Sequence, residues 1–386
     1  MKIVKLEEND FREALALSEY AFQYKVPEEE IEERLKRFER HHILSIFDQE
    51  QLAAKLHIIP FEIFLGKEKM NMGGVASVAT YPEYRRNGYV KALIESALSY
   101  MKENGYSISM LHPFDVSFYR KYGWELFSNH LKSTLKKKDL VPMPSPEGAI
   151  KRFKKEGHGE DVEQVYEQYA KQFSGMLVRH RDWWLQSVYS DLYAAVYYDV
   201  SQNPSGYMLY KVKDSKMTVE EFVVLTNDAR KGLWNFICQH DSMVEQVEMV
   251  TSEREELFFT LRESRIQQEI KPYFMVRIVD VEAFLNQYPF QWSKAQGQVV
   301  LRVEDSYAPW NNKCYVLEDG KVTVLSETET DPHNLHLSVQ SLAAMLFGYK
   351  RPTQLHQIER INGNERQIEQ LEQLIPDQKP FFYDFF

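Results

Sequence analysis

Cysteine is scarce: Cys238 and Cys314 are the only two in 386 residues. Two thiols give neither a disulfide framework nor, by themselves, a thiolate metal site, and they read as small buried apolar residues. Long apolar runs are missing too. No uncharged stretch approaches the roughly 18 residues of a membrane span. The opening MKIVKLEENDFREAL lacks the apolar centre of a secretory signal. Basic charge is not in excess, since 47 Lys and Arg face 57 Asp and Glu for a net −10. Neither a nucleic-acid backbone nor an anionic lipid surface attracts such a protein. Gly-x-Ser-x-Gly elbows, Walker loops and dinucleotide fingerprints are absent as well. These absences predict a cytoplasmic protein that binds no nucleic acid, no membrane and no metal.

What is present is globular: 44% apolar and 13% aromatic residues over a length that suits two to three domains. Strand-like and helical patterns alternate. Phe11, Leu15, Ala16, Leu17 and Phe22 recur at helical spacing, and Pro27 followed by Glu28, Glu29 and Glu30 starts a second helix. Strand-like HHILSIFD, QLAAKLHIIPFEIFL and KMNMGGVASVATY come next, then a helix over about 87–103 stopped at Gly105. The Lys-, Pro- and Ser-rich stretch 136–148 reads as a linker. A second α/β segment follows, and a third begins at YFMVRIVDVEAFL. The first two share a strands-then-helix order that suggests a degenerate duplication. His333 and His336 would share one helical face, but without a third ligand they read as solvated loop histidines.

The most informative stretch is 73–124. GGVASVAT feeds through Tyr81-Pro82-Glu83-Tyr84 into Arg85-Arg86-Asn87-Gly88-Tyr89-Val90-Lys91, which opens an amphipathic helix. A strand end, a glycine turn and a helix start together make an anion site, with unpaired N–H groups at the positive end of the dipole. Gly88 lets a phosphate approach the backbone, and the segment carries three cations and no acid. Downstream stand Ser109-Met110-Leu111-His112-Pro113 and Phe118-Tyr119-Arg120-Lys121-Tyr122-Gly123-Trp124.

This combination resembles the GNAT family of acetyl-CoA-dependent N-acyltransferases. The resemblance implies that Val78, Ala79 and Thr80 line the pantetheine arm and that Arg85, Arg86, Asn87, Gly88, Tyr89, Val90 and Lys91 hold the phosphates. Val90 stands where the family usually has Gly or Ala. Tyr119 is implied as the general acid, with Tyr122 as the alternative. Over the whole chain the block order resembles the Eis group. That implies an α/β (α+β) architecture: a catalytic GNAT domain at 1–140, a degenerate, non-catalytic GNAT-like domain at 141–275 and a sterol-carrier-protein-like domain at 276–386. In the second domain Ala229-Arg230-Lys231-Gly232-Leu233-Trp234 stands where a phosphate loop falls, and Trp234 would crowd a pyrophosphate. The implied activity is direct acetyl transfer from acetyl-CoA to a primary amine of a small molecule, an aminoglycoside among them, or of a lysine side chain. A homohexamer is implied as well. The base is then the α-carboxylate of the last residue, Phe386, desolvated by Phe381, Phe382 and Phe385, with His112 as the alternative. A lipid or acyl-CoA carrier built on the third domain is the competing expectation.

Overall fold

The computed structural model describes residues 2–294, 297–325 and 334–386. The first sheet is built from β1 (Ile3–Lys5), β2 (His42–Asp48), β3 (Gln51–Leu65), β4 (Glu68–Thr80), β5 (Ile108–Leu111) and β6 (Glu125–Leu126). Its helices are α1 (Phe11–Phe22), α2 (Glu28–Phe38), α3 (Tyr89–Glu103) and the short α4 (Val116–Lys121). The apolar stripe of α3 behaves as its spacing predicts. Leu93, Ile94, Ala97, Leu98 and Met101 are all buried against Ile58, Val75 and Leu111 of the sheet. Burying such side chains contributes roughly 1.5–3 kcal/mol each, which fixes where the N-terminus of α3 points.

A second sheet contains β7 (Asn129–Lys136), β8 (Ala149–Phe153), β10 (Tyr193–Tyr198), β11 (Pro204–Lys213), β12 (Lys216–Val224), β13 (Gln246–Thr251) and β14 (Gln267–Pro272). Two strands bind the first sheet to later sequence. Strand β9 (Ser174–Leu177) pairs antiparallel with β3, and β15 (Met275–Ile278) lies between β5 and β6. The three-part division at 140 and 275 is still the one we propose for the chain, with β7 seated in the second sheet and β15 in the first. The 136–148 stretch is not a free linker. The Trp234 indole donates to the Val141 carbonyl at 3.0 Å, and Asn235 bonds both backbone groups of Met143.

The third sheet has the order Lys321–Leu325, Cys314–Glu318, Val299–Glu304, Leu335–Ser338, Ile361–Asn362. Its helix Val339–Leu346 is buried on nearly every side and shares one core with Ile63, Met70, Phe127 and Phe274. The third domain thus spends its most apolar helix on packing against the first. His336 sits on a strand, so the helical face considered for it and His333 does not form there; His333 lies outside the described residues. Both cysteines are free and buried.

Candidate active site

Strands β4 and β5 run parallel only at Met72–Ile108, Gly73–Ser109 and Gly74–Met110. Beyond Gly74 they part, and Val75–Thr80 of β4 keep a partner only on the β3 side among the described residues. The part of β4 assigned to the pantetheine, Val78, Ala79 and Thr80, therefore presents an open strand edge, where an extended amide-bearing chain gains backbone hydrogen bonds. Before it comes a bulge: Ala76 lies opposite His57 and Ala79 opposite Lys55, so Ser77 and Val78 together face Leu56. Ser77 adopts φ +52°, left-handed and strained for a non-glycine residue.

At the far end of that edge the chain turns into α3. Arg86 (φ +69°) and Gly88 (φ +80°) are both left-handed, and a Cβ built on Gly88 meets nothing within 4 Å. The helix has no side-chain cap, so its first amides stay free. Arg85, Arg86, Asn87 and Gly88 are exposed, while Tyr89 and Val90 are half-buried. Arg85 and Arg86 take part in none of the ion pairs among the described residues, whereas Lys91 reaches Glu95 at 3.8 Å. Space, free donors and unpaired cations fit a pyrophosphate. Arg86→Glu with Gly88→Glu should abolish the rise in melting temperature that acetyl-CoA produces by mass action. Differential scanning fluorimetry checks this, and a full shift in the double variant removes the loop from the site.

Beyond β5, Asp115 caps α4 by accepting from the Phe118 amide. That places Tyr119 in a setting 4% exposed, against the rings of Phe114, Phe118 and Trp124. Burial pushes its phenol well above the ordinary tyrosine range, so it holds its proton at neutral pH. Tyr122 is also buried, but it packs on Tyr307 and its carbonyl accepts from the buried Arg277 guanidinium, which pairs with Asp305 through two oxygens.

The C-terminus reaches the same place. The Phe386 ring lies 4.8 Å from Phe61 and 5.1 Å from Phe274, and a Cβ on Gly74 would come within 2.8 Å of it. The last residue is thus seated at the point where β4 and β5 part. The aromatic anchor differs from expectation in one member. Phe381, Phe382 and Tyr383 are buried, but Phe385 is 64% exposed, its ring against the edge of His112. Phe385 is the outward-facing residue between the buried Asp384 and the docked ring of Phe386.

The tail is held by polar contacts that the sequence did not disclose. Asp384 accepts from Arg179 Nε at 2.9 Å and Trp183 Nε1 at 2.7 Å, and Arg179 also pairs with Glu221. His130 bonds the Phe382 carbonyl, and the Tyr273 hydroxyl donates to the Asp384 carbonyl. His112 stands beside Tyr273, Phe274 and Phe385, and partial burial lowers its pKa, leaving a neutral imidazole. A cleft of about 480 Å³ opens next to this tail, lined by Trp183, Asp191, Glu220, Asp384 and Phe385 among others.

The second sheet repeats the parallel pair, β12 with β13, around the helix Asn227–Cys238. Its N-terminus is already occupied. Thr226 caps it by accepting from Ala229, Arg230 is tied to Glu255, and Trp234 fills the space beneath.

Comparison with known proteins agrees with this geometry. Residues 2–127 match an acetyltransferase (GNAT) domain, 175–278 a second acetyltransferase (GNAT) domain and 281–383 a sterol carrier protein domain. The N-acetyltransferase Eis of Mycobacterium tuberculosis is 23% identical over 319 residues, 78% of this chain and 77% of that protein. A conserved protein of unknown function from Enterococcus faecalis V583, described as a probable N-acyltransferase, superposes with a TM-score of 0.92 at 28% identity. That match covers 100% of this chain and 99% of the other. Eis1 from Mycobacterium abscessus shares the fold, with a TM-score of 0.82 at 18% identity over 100% of both chains. A split parallel pair, an open basic helix start and these matches define a GNAT N-acetyltransferase. More narrowly, the chain is an Eis-like GNAT protein, with two GNAT domains followed by a sterol-carrier-protein-like domain.

Proposed function

We propose that this chain transfers acetyl directly from acetyl-CoA to a primary amine of a cationic small molecule, an aminoglycoside among them, or of a lysine side chain. The observation that carries the reading is the seat of Phe386 on Gly74, at the fork of β4 and β5. Arg85–Lys91 hold the phosphates, and the Val78–Thr80 edge receives the pantetheine. The Val78 N–H polarises the thioester carbonyl. The Phe386 carboxylate takes the proton that the ammonium must lose, and Tyr119 gives its proton to the departing sulfur. His112 is the second candidate for the base.

Along the adjoining cleft Asp191, Glu220, Glu221 and Asp384 outnumber Arg179 and Lys211, and that net negative lining favours a cationic acceptor. The filled helix start of the second domain supports its reading as a non-catalytic copy. We place the protein in the cytoplasm, with no nucleic acid, membrane or metal as partner. Native mass spectrometry of the purified protein tests the reading against a lipid carrier: bound CoA or acetyl-CoA supports it, and a bound fatty acid or sterol contradicts it. The assembly we propose is a homohexamer of closed symmetry. Light scattering at micromolar protein should read six times the 45.7 kDa chain, and 45.7 kDa itself contradicts the proposal.

A further inference from the structure

A buried lysine lies directly beneath the bulge in β4. Lys55 is fully buried, and its Nζ lies 2.8 Å from Ser77 Oγ, 3.5 Å from the Ser77 carbonyl and 2.8 Å from His57 Nε2. The direction of these bonds follows from the far end of the chain. Ser18 Oγ donates to the Ala14 carbonyl at 3.3 Å, so its single hydrogen is spent and it accepts from Ser77 Oγ at 3.0 Å. Ser77 has then spent its hydrogen too, and accepts from Lys55. Three acceptors surround Nζ, which matches the three donors of an ammonium.

The facing groups are Ser18 from α1, Phe38 from α2, His41 before β2, His57 on β3 and Ser77 on β4, with Arg37 of α2 acting on His41. None of them is an acid. A cation kept inside without a counter-ion is unfavourable, and burial lowers the Lys55 pKa to about 7. Structural need alone does not explain it, because a methionine would fill the same space without the charge.

We propose that Lys55 is a positioning residue for acyl transfer: by gripping the hydroxyl and carbonyl of the strained Ser77, it aims the Val78 N–H into the fork between β4 and β5. The reason is planarity. In a trans peptide the C=O and the following N–H point opposite ways. A Ser77 carbonyl held by the Lys55 ammonium under α1 and α2 therefore directs the Val78 N–H away from those helices, toward the opening that β5 has left. A neighbouring ammonium also polarises that peptide and strengthens its N–H as a donor. This rests on the reading of Val78 as the donor to the thioester carbonyl.

The test uses acetyl-CoA isotopically labelled at the carbonyl carbon, bound to the full-length protein and observed by NMR. In the wild type, binding should move the carbonyl resonance downfield, and the displacement should shrink as pH rises through about 7, where the ammonium is lost. Lys55→Met should bind acetyl-CoA with an unchanged Kd, lose most of the displacement at every pH, and lose kcat by up to about 10²-fold, the scale of one carbonyl-polarising donor. Ser77→Ala keeps the fold and removes one of the two grips, so it should show an intermediate displacement. A Lys55→Met protein that binds normally and keeps the full displacement and kcat overturns the proposal. So does a wild-type displacement that ignores pH, should Lys55→Met not fold. Wild-type protein that binds no acetyl-CoA overturns instead the reading of the loop and strand edge on which this one stands.

Discussion

Appending two glycines after Phe386 should lower turnover at neutral pH by about 10²–10⁴-fold, the usual worth of a general base. Acetyl-CoA binding should be unchanged. The extension converts the α-carboxylate into a peptide carbonyl and carries the new carboxylate several ångströms off, while the ring remains over Gly74 between Phe61 and Phe274. The remaining anchors lie upstream and are untouched: Asp384 on Arg179 and Trp183, Phe382 on His130, and Tyr383 on the Phe222 backbone. A carboxylate titrates near 3.3–3.7 in water, and an apolar setting raises that value toward the amine it must deprotonate. Steady-state kinetics beside a thermal-shift titration reads both quantities. Unchanged turnover in the extended protein would transfer the role to His112, which stands beside Phe274 and Phe385 and is kept neutral by partial burial.

Tyr119→Phe should cost about 10²–10⁴-fold in kcat, with the KM for acetyl-CoA nearly constant. The phenol makes no hydrogen bond to a described residue, and its ring packs on Phe114, Phe118 and Trp124. Phenylalanine keeps that packing, so stability should hold and only the proton is removed. The physical case for Tyr119 over Tyr122 is the accessible chemistry of each. Tyr119 is kept protonated by desolvation among the rings of Phe114, Phe118 and Trp124. Tyr122 is committed to Tyr307 and, through its carbonyl, to Arg277. Tyr122→Phe should accordingly leave kcat within about twofold. Stopped assays of CoA release on both variants check the pair, and equal losses would contradict the assignment.

The half of the candidate site that lies in the first domain was legible because its signals are local. Arg85–Lys91 is contiguous, helix α3 announces itself by its apolar spacing, and Tyr119 sits one short turn from Gly123 and Trp124. The fork between β4 and β5 leaves only a faint mark, the glycine pair Gly73-Gly74. The second of these makes room for a residue more than three hundred positions away. The tail's polar anchor was invisible for that reason. Asp384 is the lone acid in PFFYDFF, which hints at a buried partner, but nothing in the sequence pairs it with Arg179 and Glu221. Exposure leaves no mark there either: Phe381, Phe382 and Phe385 look alike in the sequence, and only the first two are buried. Lys55 left a similar hint, a charge inside the apolar strand QLAAKLHIIP, whose meaning appears only when Ser77 and Ser18 from other elements close over it. The exchanged strands β7 and β15 follow the same rule. Pairing across a hundred or more residues is set by edges that composition does not show.

Acetyl transfer itself is the claim on which the rest stands, and mass spectrometry of the acceptor measures it most directly. The purified protein is incubated with acetyl-CoA and a panel of simple amines, aminoglycosides and lysine peptides, and CoA release is followed in parallel. The account predicts that at least one cationic amine gains an acetyl group in step with CoA release, and that the Tyr119→Phe protein yields little of it. Binding of acetyl-CoA with no acetylated amine across the whole panel would contradict it.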